Sequence, residues 1–231
     1  IKLTKNEISF LKKYKPWGVI LFSRNIKSIN QTQKLTSKIK KIFNDSKYPI
    51  LIDEEGGMVS RLNKFIDNSL FSSKFFADLY LKDKKKFNIF YNAYVKQICY
   101  LLNLLGININ TVPVLDVIRN NTSNVIGNRS FSNNPNIVKK LGELCVKQYN
   151  INKLATVIKH IPGHGCSLVD SHLKTPKVNL TLTKLNKIDF LPFKSSSSKF
   201  AMTAHIIFEK IDKKNVATFS KKIISQIIRK K

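Results

Sequence analysis

ATVIKHIPGHGCSLVDSH, residues 155–172, opens as a β-branched apolar run and ends in a segment that cannot be regular helix or strand. The first six residues read as a buried strand. Pro162 then imposes its fixed φ, and Gly163 and Gly165 permit a left-handed backbone, so the chain must turn. The consequence is spatial. Lys159 and His160 close a strand, and the loop after it carries His164, Asp170 and His172, so three of the chain's four histidines gather at one strand end.

The same pattern recurs outward in both directions. GVILF (18–22), PILID (49–53), ININTVPVLDV (107–117) and KFAMTAH (199–205) are further strand candidates. Helical periodicity occupies about 28–44, 83–105, 135–150 and 182–194, and a last helix starts near Ser220. In 83–105, Phe87, Phe90, Tyr91, Tyr94, Ile98, Leu101, Leu102 and Leu105 recur at three-to-four spacing, which marks a core-facing stripe. Strands alternating with helices imply a parallel sheet in an α/β fold. Four strand candidates end in polar groups: Asp53, Asp116, Lys159–His160 and His205. Parallel α/β sheets and barrels place their sites at the carboxyl ends of strands, so these termini are candidate functional residues on one rim.

Composition limits the function classes. A 231-residue chain of 26.5 kDa can bury a large core as one domain, and 42% hydrophobic with 10% aromatic residues argues against disorder. No apolar run reaches the roughly 20 residues that a membrane-spanning helix needs. Ile1–Tyr14 is mixed and amphipathic, unlike a signal peptide. A cytoplasmic protein with no membrane partner is expected. The net charge of +27 would suit nucleic acid, but only five of the 41 basic residues are Arg: Arg24, Arg61, Arg119, Arg129 and Arg229. Arg is the residue of bidentate phosphate and base contacts, and no nucleic-acid-reading motif accompanies the charge. The lysines read as a solvated surface. Cys99, Cys145 and Cys166 lack metal spacing. The first two lie in helical patterns and read as buried thiols, in keeping with a reducing compartment.

Two chemistries use the residue types of the histidine segment. His160, His164 and His172 with Asp170 could ligate zinc or a related ion. Alternatively, Asp170 could orient His172 as a proton shuttle.

K-H-[apolar]-P-G-H-G followed by D-S-H resembles the signature of glycoside hydrolase family 3 β-N-acetylhexosaminidases of the bacterial peptidoglycan-recycling type. The resemblance extends over nearly the whole chain. WGVILFSRNI, LIDEEGGMVSRL, NTVPVLDV, IGNRSF and AMTAHIIF are each similar to a family segment, in the family's order, and ATFSKKIISQIIRKK resembles the segment that leads to the family's next strand. The resemblance implies a TIM (β/α)₈ barrel, incomplete here with about five of eight strands, in which residues 1–231 form a single catalytic domain truncated at both ends. It implies retaining hydrolysis of a non-reducing terminal β-N-acetylglucosamine from muropeptides or chitooligosaccharides, with no cofactor. His172 would be the general acid/base, paired with Asp170. Asp53, Arg61, Arg129, Lys159 and His160 would bind sugar hydroxyls. Glu54, Glu55, Asp116 and His205 would brace the rim, and His164 would support the loop.

The family's nucleophile is an aspartate in a strand ending Ser-Asp-Asp, which is expected beyond Lys231. Asp67, Asp116, Asp189 and Asp212 do not sit in that motif, and Cys166 has no expected catalytic role. Two other readings stand beside this one: an inactive sugar-binding homologue that lacks the nucleophile, and a metal-dependent hydrolase.

Overall fold

The computed structural model describes residues 2–119, 126–167, 175–194 and 196–229. Its centre is a parallel five-stranded sheet of β1 (Val19–Leu21), β2 (Ile50–Ile52), β3 (Ile109–Asn110), β4 (Ala155–Ile161) and β6 (Phe200–Thr203), in the order β1-β2-β3-β4-β6. Helices α2 (Ile29–Phe43), α4 (Lys84–Leu104) and α5 (Pro135–Ile151) connect successive strands, preceded by α1 (Lys5–Tyr14) and supplemented by α3 (Ser73–Lys82). All four pairings are parallel. This is a curled, incomplete (β/α)₈ barrel. β5 (Lys177–Val178) and β7 (Ile207–Phe208) make a separate two-stranded parallel pair.

Local chemistry starts the helices where they begin. Ser28, Asp83 and Asn134 each cap with a side chain that accepts a first-turn N–H, and Pro135 takes the first turn of α5, where its missing donor costs nothing. Thr4 and Glu7 form a reciprocal capping box on α1. The strands then alternate. Leu21, Ile50 and Ile52 face the helices and join the main core with Leu35, Ile39, Phe87, Ile98, Leu102 and Leu141. Each such side chain contributes roughly 1.5–3 kcal/mol when fully buried.

A smaller cluster of Val178, Leu185, Phe190, Phe208, Ala217 and Ile223 lies under the β5–β7 pair.

The edge strands come together at their amino ends. Trp17, ahead of β1, and Phe200, at the start of β6, hold their ring centroids 5.2 Å apart. With three strands between them, β1 and β6 stand at opposite positions of an eight-stranded barrel, so this contact crosses the barrel floor.

Several expectations are sharpened. The 107–117 segment is laddered only at Ile109–Asn110, because Pro113 removes a donor; pairing with β4 resumes as a bridge from Val114 to Lys159. The 182–194 helix divides into α6 (Leu182–Lys187) and a 3₁₀ turn, Leu191–Phe193, around Pro192. The last helix is α7 (Lys221–Ile223), continued by a π turn, Ile224–Ile228. Phe90 leaves the expected α4 stripe and is 57% exposed. Cys99 and Cys145 are buried as expected, with both thiols pushed up to about 12 by burial. Among the described residues no helix is long and apolar enough to cross a membrane.

Candidate active site

The carboxyl ends of β2, β3 and β4 build the site. Asp53 follows β2 directly, and its Oδ1 accepts from Lys159 Nζ at 3.0 Å and from the Thr111 hydroxyl. Lys159 is only 2% exposed. Its ammonium donates to Asp53, to Thr111 Oγ1 at 2.9 Å and to Glu55 Oε1 at 2.5 Å, so its three donors each have a partner. Glu55 also receives a fork from Arg129, with Nε to Oε2 at 2.8 Å and a terminal nitrogen to Oε1 at 2.9 Å. Burial pushes the Asp53 and Glu55 carboxyls up. The Lys159 ammonium, aided by Thr111 for Asp53 and by Arg129 for Glu55, outweighs it and holds both below their ordinary values.

The turn after β2 is held by Glu54, which has no exposed surface. Its Oε2 accepts from the Arg61 N–H at 2.6 Å, the Leu62 N–H at 2.9 Å and the Ser60 hydroxyl, while Oε1 accepts from Asn68. Burial raises this carboxyl, outweighing the hydrogen bonds it receives. Gly56 and Gly57 adopt φ of +80° and +59° in the same turn, and a Cβ on Gly56 would lie 2.3 Å from the Phe71 carbonyl oxygen. The turn thereby sets Arg61, whose guanidinium stands over the Phe22 ring and 3.8 Å from Asp53 Oδ2. Arg61 Nε is buried without a partner among the described residues.

At the end of β4 the register against β6 slips between Lys159 and Ile161, which releases His160 from the ladder. His160 Nδ1 lies 2.7 Å from Asp116 Oδ2. His164 donates its backbone N–H to Asp116 Oδ1 at 2.6 Å, and burial pushes its imidazole toward the neutral form. The loop base is gripped from both sides. A Cβ on Gly165 would lie 1.9 Å from the Val117 carbonyl oxygen, and one on Gly163 would lie 2.7 Å from that of Asp189. Arg119 closes the grip as a fork onto the fully buried Asp189 carboxylate.

The structure thus brings together Asp53, Arg61, Arg129, Lys159 and His160 in one rim. Asp170 and His172 lie outside the described residues, as does any ligand set that includes them. Among the described residues no group of three His, Cys, Asp or Glu side chains is gathered for a metal. His205 is on the rim of β6, with Nδ1 2.8 Å from the Thr218 hydroxyl. Thr111 was not singled out by sequence, and only its place after a strand could have suggested it. Asp67 serves as an exposed turn cap and Asp212 as a half-buried one, and Asp116 and Asp189 are buried and engaged.

The Glycosyl hydrolase family 3 N terminal domain matches residues 1–231. The chain belongs to glycosyl hydrolase family 3. Among family relatives, it is 35% identical over 238 residues to beta-hexosaminidase A of Pseudoalteromonas piscicida, covering 95% of this chain and 39% of that protein. It is 33% identical to a beta-hexosaminidase of Neisseria meningitidis serogroup A, covering 99% of this chain and 63% of that protein. The solved structure of NagZ from Neisseria gonorrhoeae in complex with N-trifluoroacetyl-D-glucosamine superposes with a TM-score of 0.90 at 31% identity, over 99% of this chain and 67% of that one.

Proposed function

We propose that this chain is the sugar-holding part of a retaining β-N-acetylglucosaminidase, which removes non-reducing terminal N-acetylglucosamine from muropeptides during cytoplasmic peptidoglycan recycling. The observation that carries the reading is the rim itself. Asp53, Arg61, Arg129, Lys159 and His160 converge from three strand ends. Lys159, whose three donors are taken by Asp53, Thr111 and Glu55, and Arg129, forked onto Glu55, hold the others in place rather than bind hydroxyls as the sequence suggested. Asp53, Arg61 and His160 form the preorganised set of donors and acceptors open to a ligand. Vicinal hydroxyls call for such a set. The similarity to proteins named beta-hexosaminidase, and to NagZ of Neisseria gonorrhoeae, which was solved with a glucosamine derivative, supports the same substrate class.

In this mechanism Asp53 and Arg61 meet hydroxyls at one edge of the terminal sugar, and His160 meets them at another. Lys159 and Arg129, neutralised by Asp53 and Glu55, give the pocket its shape and charge balance. A carboxylate nucleophile, taken from outside residues 1–231, forms the bond to the anomeric carbon. The His172 imidazolium gives its proton to the departing oxygen. The resulting imidazole then takes a proton from the water that cleaves the glycosyl-enzyme, so the group is regenerated near neutral pH. Asp170 orients the imidazole.

The test is hydrolysis of a nitrophenyl β-N-acetylglucosaminide and of a muropeptide by the full-length protein, with the first-formed anomer read by proton NMR. Release of the β anomer is expected. Binding of N-acetylglucosamine without any release would favour an inactive sugar-binding homologue.

A further inference from the structure

Asp116 lies at the end of the β3 segment with no exposed surface, yet its hydrogen bonds among the described residues lead to the rim. Its Oδ1 accepts two backbone donors, His164 N–H at 2.6 Å and His160 N–H at 3.3 Å. Its Oδ2 stands 2.7 Å from His160 Nδ1. Its backbone carbonyl accepts from the buried Ser130 hydroxyl at 2.5 Å, which ties it to the residue after Arg129. One side chain therefore holds the loop base and one edge of the His160 ring, while its main chain holds the segment that carries Arg129.

A carboxylate only accepts, so the nitrogen facing it must carry the proton. In neutral His160 that leaves Nε2 as an acceptor, and Nε2 has no partner among the described residues. We infer that Asp116 is a positioning residue that locks His160 in the Nδ1–H tautomer, so that Nε2 accepts a hydrogen bond from a ligand hydroxyl. That the hydroxyl belongs to N-acetylglucosamine rests on the proposed function. The tautomer itself follows from the buried pair alone. His164 differs: its backbone binds the same carboxylate, but its ring Nδ1 is buried without a partner among the described residues, so Asp116 does not fix its tautomer.

Asp116→Asn is the discriminating substitution. Its Oδ1 can keep both backbone donors while its amide N–H₂ replaces Oδ2 against the ring. Nδ1 must then accept, the proton moves to Nε2, and the rim loses an acceptor. Nitrogen-15 NMR of the histidine rings in the full-length protein at neutral pH, assigned with His160→Gln, should show a Nδ1–H ring in the wild type and Nε2–H in the variant. The inhibition constant for N-acetylglucosamine should rise about 5- to 50-fold, and KM should rise more than kcat falls, with little change in melting temperature. A wild-type His160 protonated at Nε2 would overturn the inference without any variant. So would a tautomer that switches while sugar affinity stays the same. A wild type that shows the Nδ1–H ring but binds no N-acetylglucosamine would leave the Asp116 lock standing and remove the proposed substrate.

Discussion

Lys159 Nζ and Glu55 Oε1 stand 2.5 Å apart, both side chains almost without exposed surface, although they lie 104 positions apart in the chain. Glu55 is the shared counter-charge of two cations, because Arg129 forks onto the same carboxylate. Buried charges are tolerated only when paired and hydrogen-bonded, so the rim stands or falls with this carboxylate.

Glu55→Ala should therefore cost roughly 3–5 kcal/mol in urea unfolding of the full-length protein, since it leaves Lys159 and Arg129 with an uncompensated buried charge. Glu55→Gln keeps an acceptor and should cost less. An alanine variant within about 1 kcal/mol of wild type would show that Asp53 alone suffices as counter-charge.

Glu54 should behave in the opposite way. Its carboxyl is raised by burial, and Asn68 Oδ1 is buried without a partner among the described residues. Glu54→Gln can keep an oxygen toward the Arg61 and Leu62 N–H groups and turn its amide toward Asn68. It should be neutral or stabilising at pH 7. Glu54→Ala strands those N–H groups and should cost about 2 kcal/mol or more. A glutamine variant as damaged as the alanine variant would mean that the charge itself is required.

Acid should loosen the rim first. Asp53, Glu55 and Asp116 have carboxyls held below their ordinary values against the upward push of burial, the first two by Lys159 and the last by His160. A depressed folded value contributes stability that is present above the unfolded value, roughly pH 4, and is lost as pH falls through the folded value. Melting temperature should drop below about pH 4, and Glu55→Gln should flatten that drop. Glu54 has the reverse sign: its raised value favours the fold at low pH and is lost as pH rises, so the advantage of Glu54→Gln should grow toward neutrality. A melting temperature constant from pH 6 to pH 3 would contradict the paired carboxylates.

His172→Ala tests proton transfer. General acid/base help is worth about 10²–10⁴-fold, and its loss should fall most heavily on a natural sugar aglycone, because nitrophenolate departs with little protonation. Azide should partly restore turnover of the activated substrate. Asp170→Ala should show the same pattern more weakly. Equal losses on both substrates without azide rescue would leave His172 outside the chemistry. Wild-type activity should survive EDTA; loss with recovery on added zinc would instead make His160, His164 and His172 ligands.

Much of this site is legible along the chain because strand ends are local features. The β-branched runs ending at Asp53 and Lys159–His160 announce a rim through composition alone, and Pro162 with two glycines announces the loop. Helix α1 and the β5–β7 pair escape notice for equally local reasons. A Lys-rich ten-residue helix buries only Leu11, and a two-residue strand has no periodicity to detect.

Periodicity, turn chemistry and strand-end polarity by themselves determined a parallel α/β architecture, the order of its elements and the residues that reach the rim, because each depends on neighbours a few positions apart. Only the tertiary structure decided who pairs with whom. That Lys159 gives all three donors to Asp53, Glu55 and Thr111, that Asp116 serves His160 and that Trp17 meets Phe200 are contacts across the curled sheet. Charge and hydrogen-bond capacity are properties of a residue, but the partner that satisfies them is set by the curvature of the whole sheet, which no local stretch encodes.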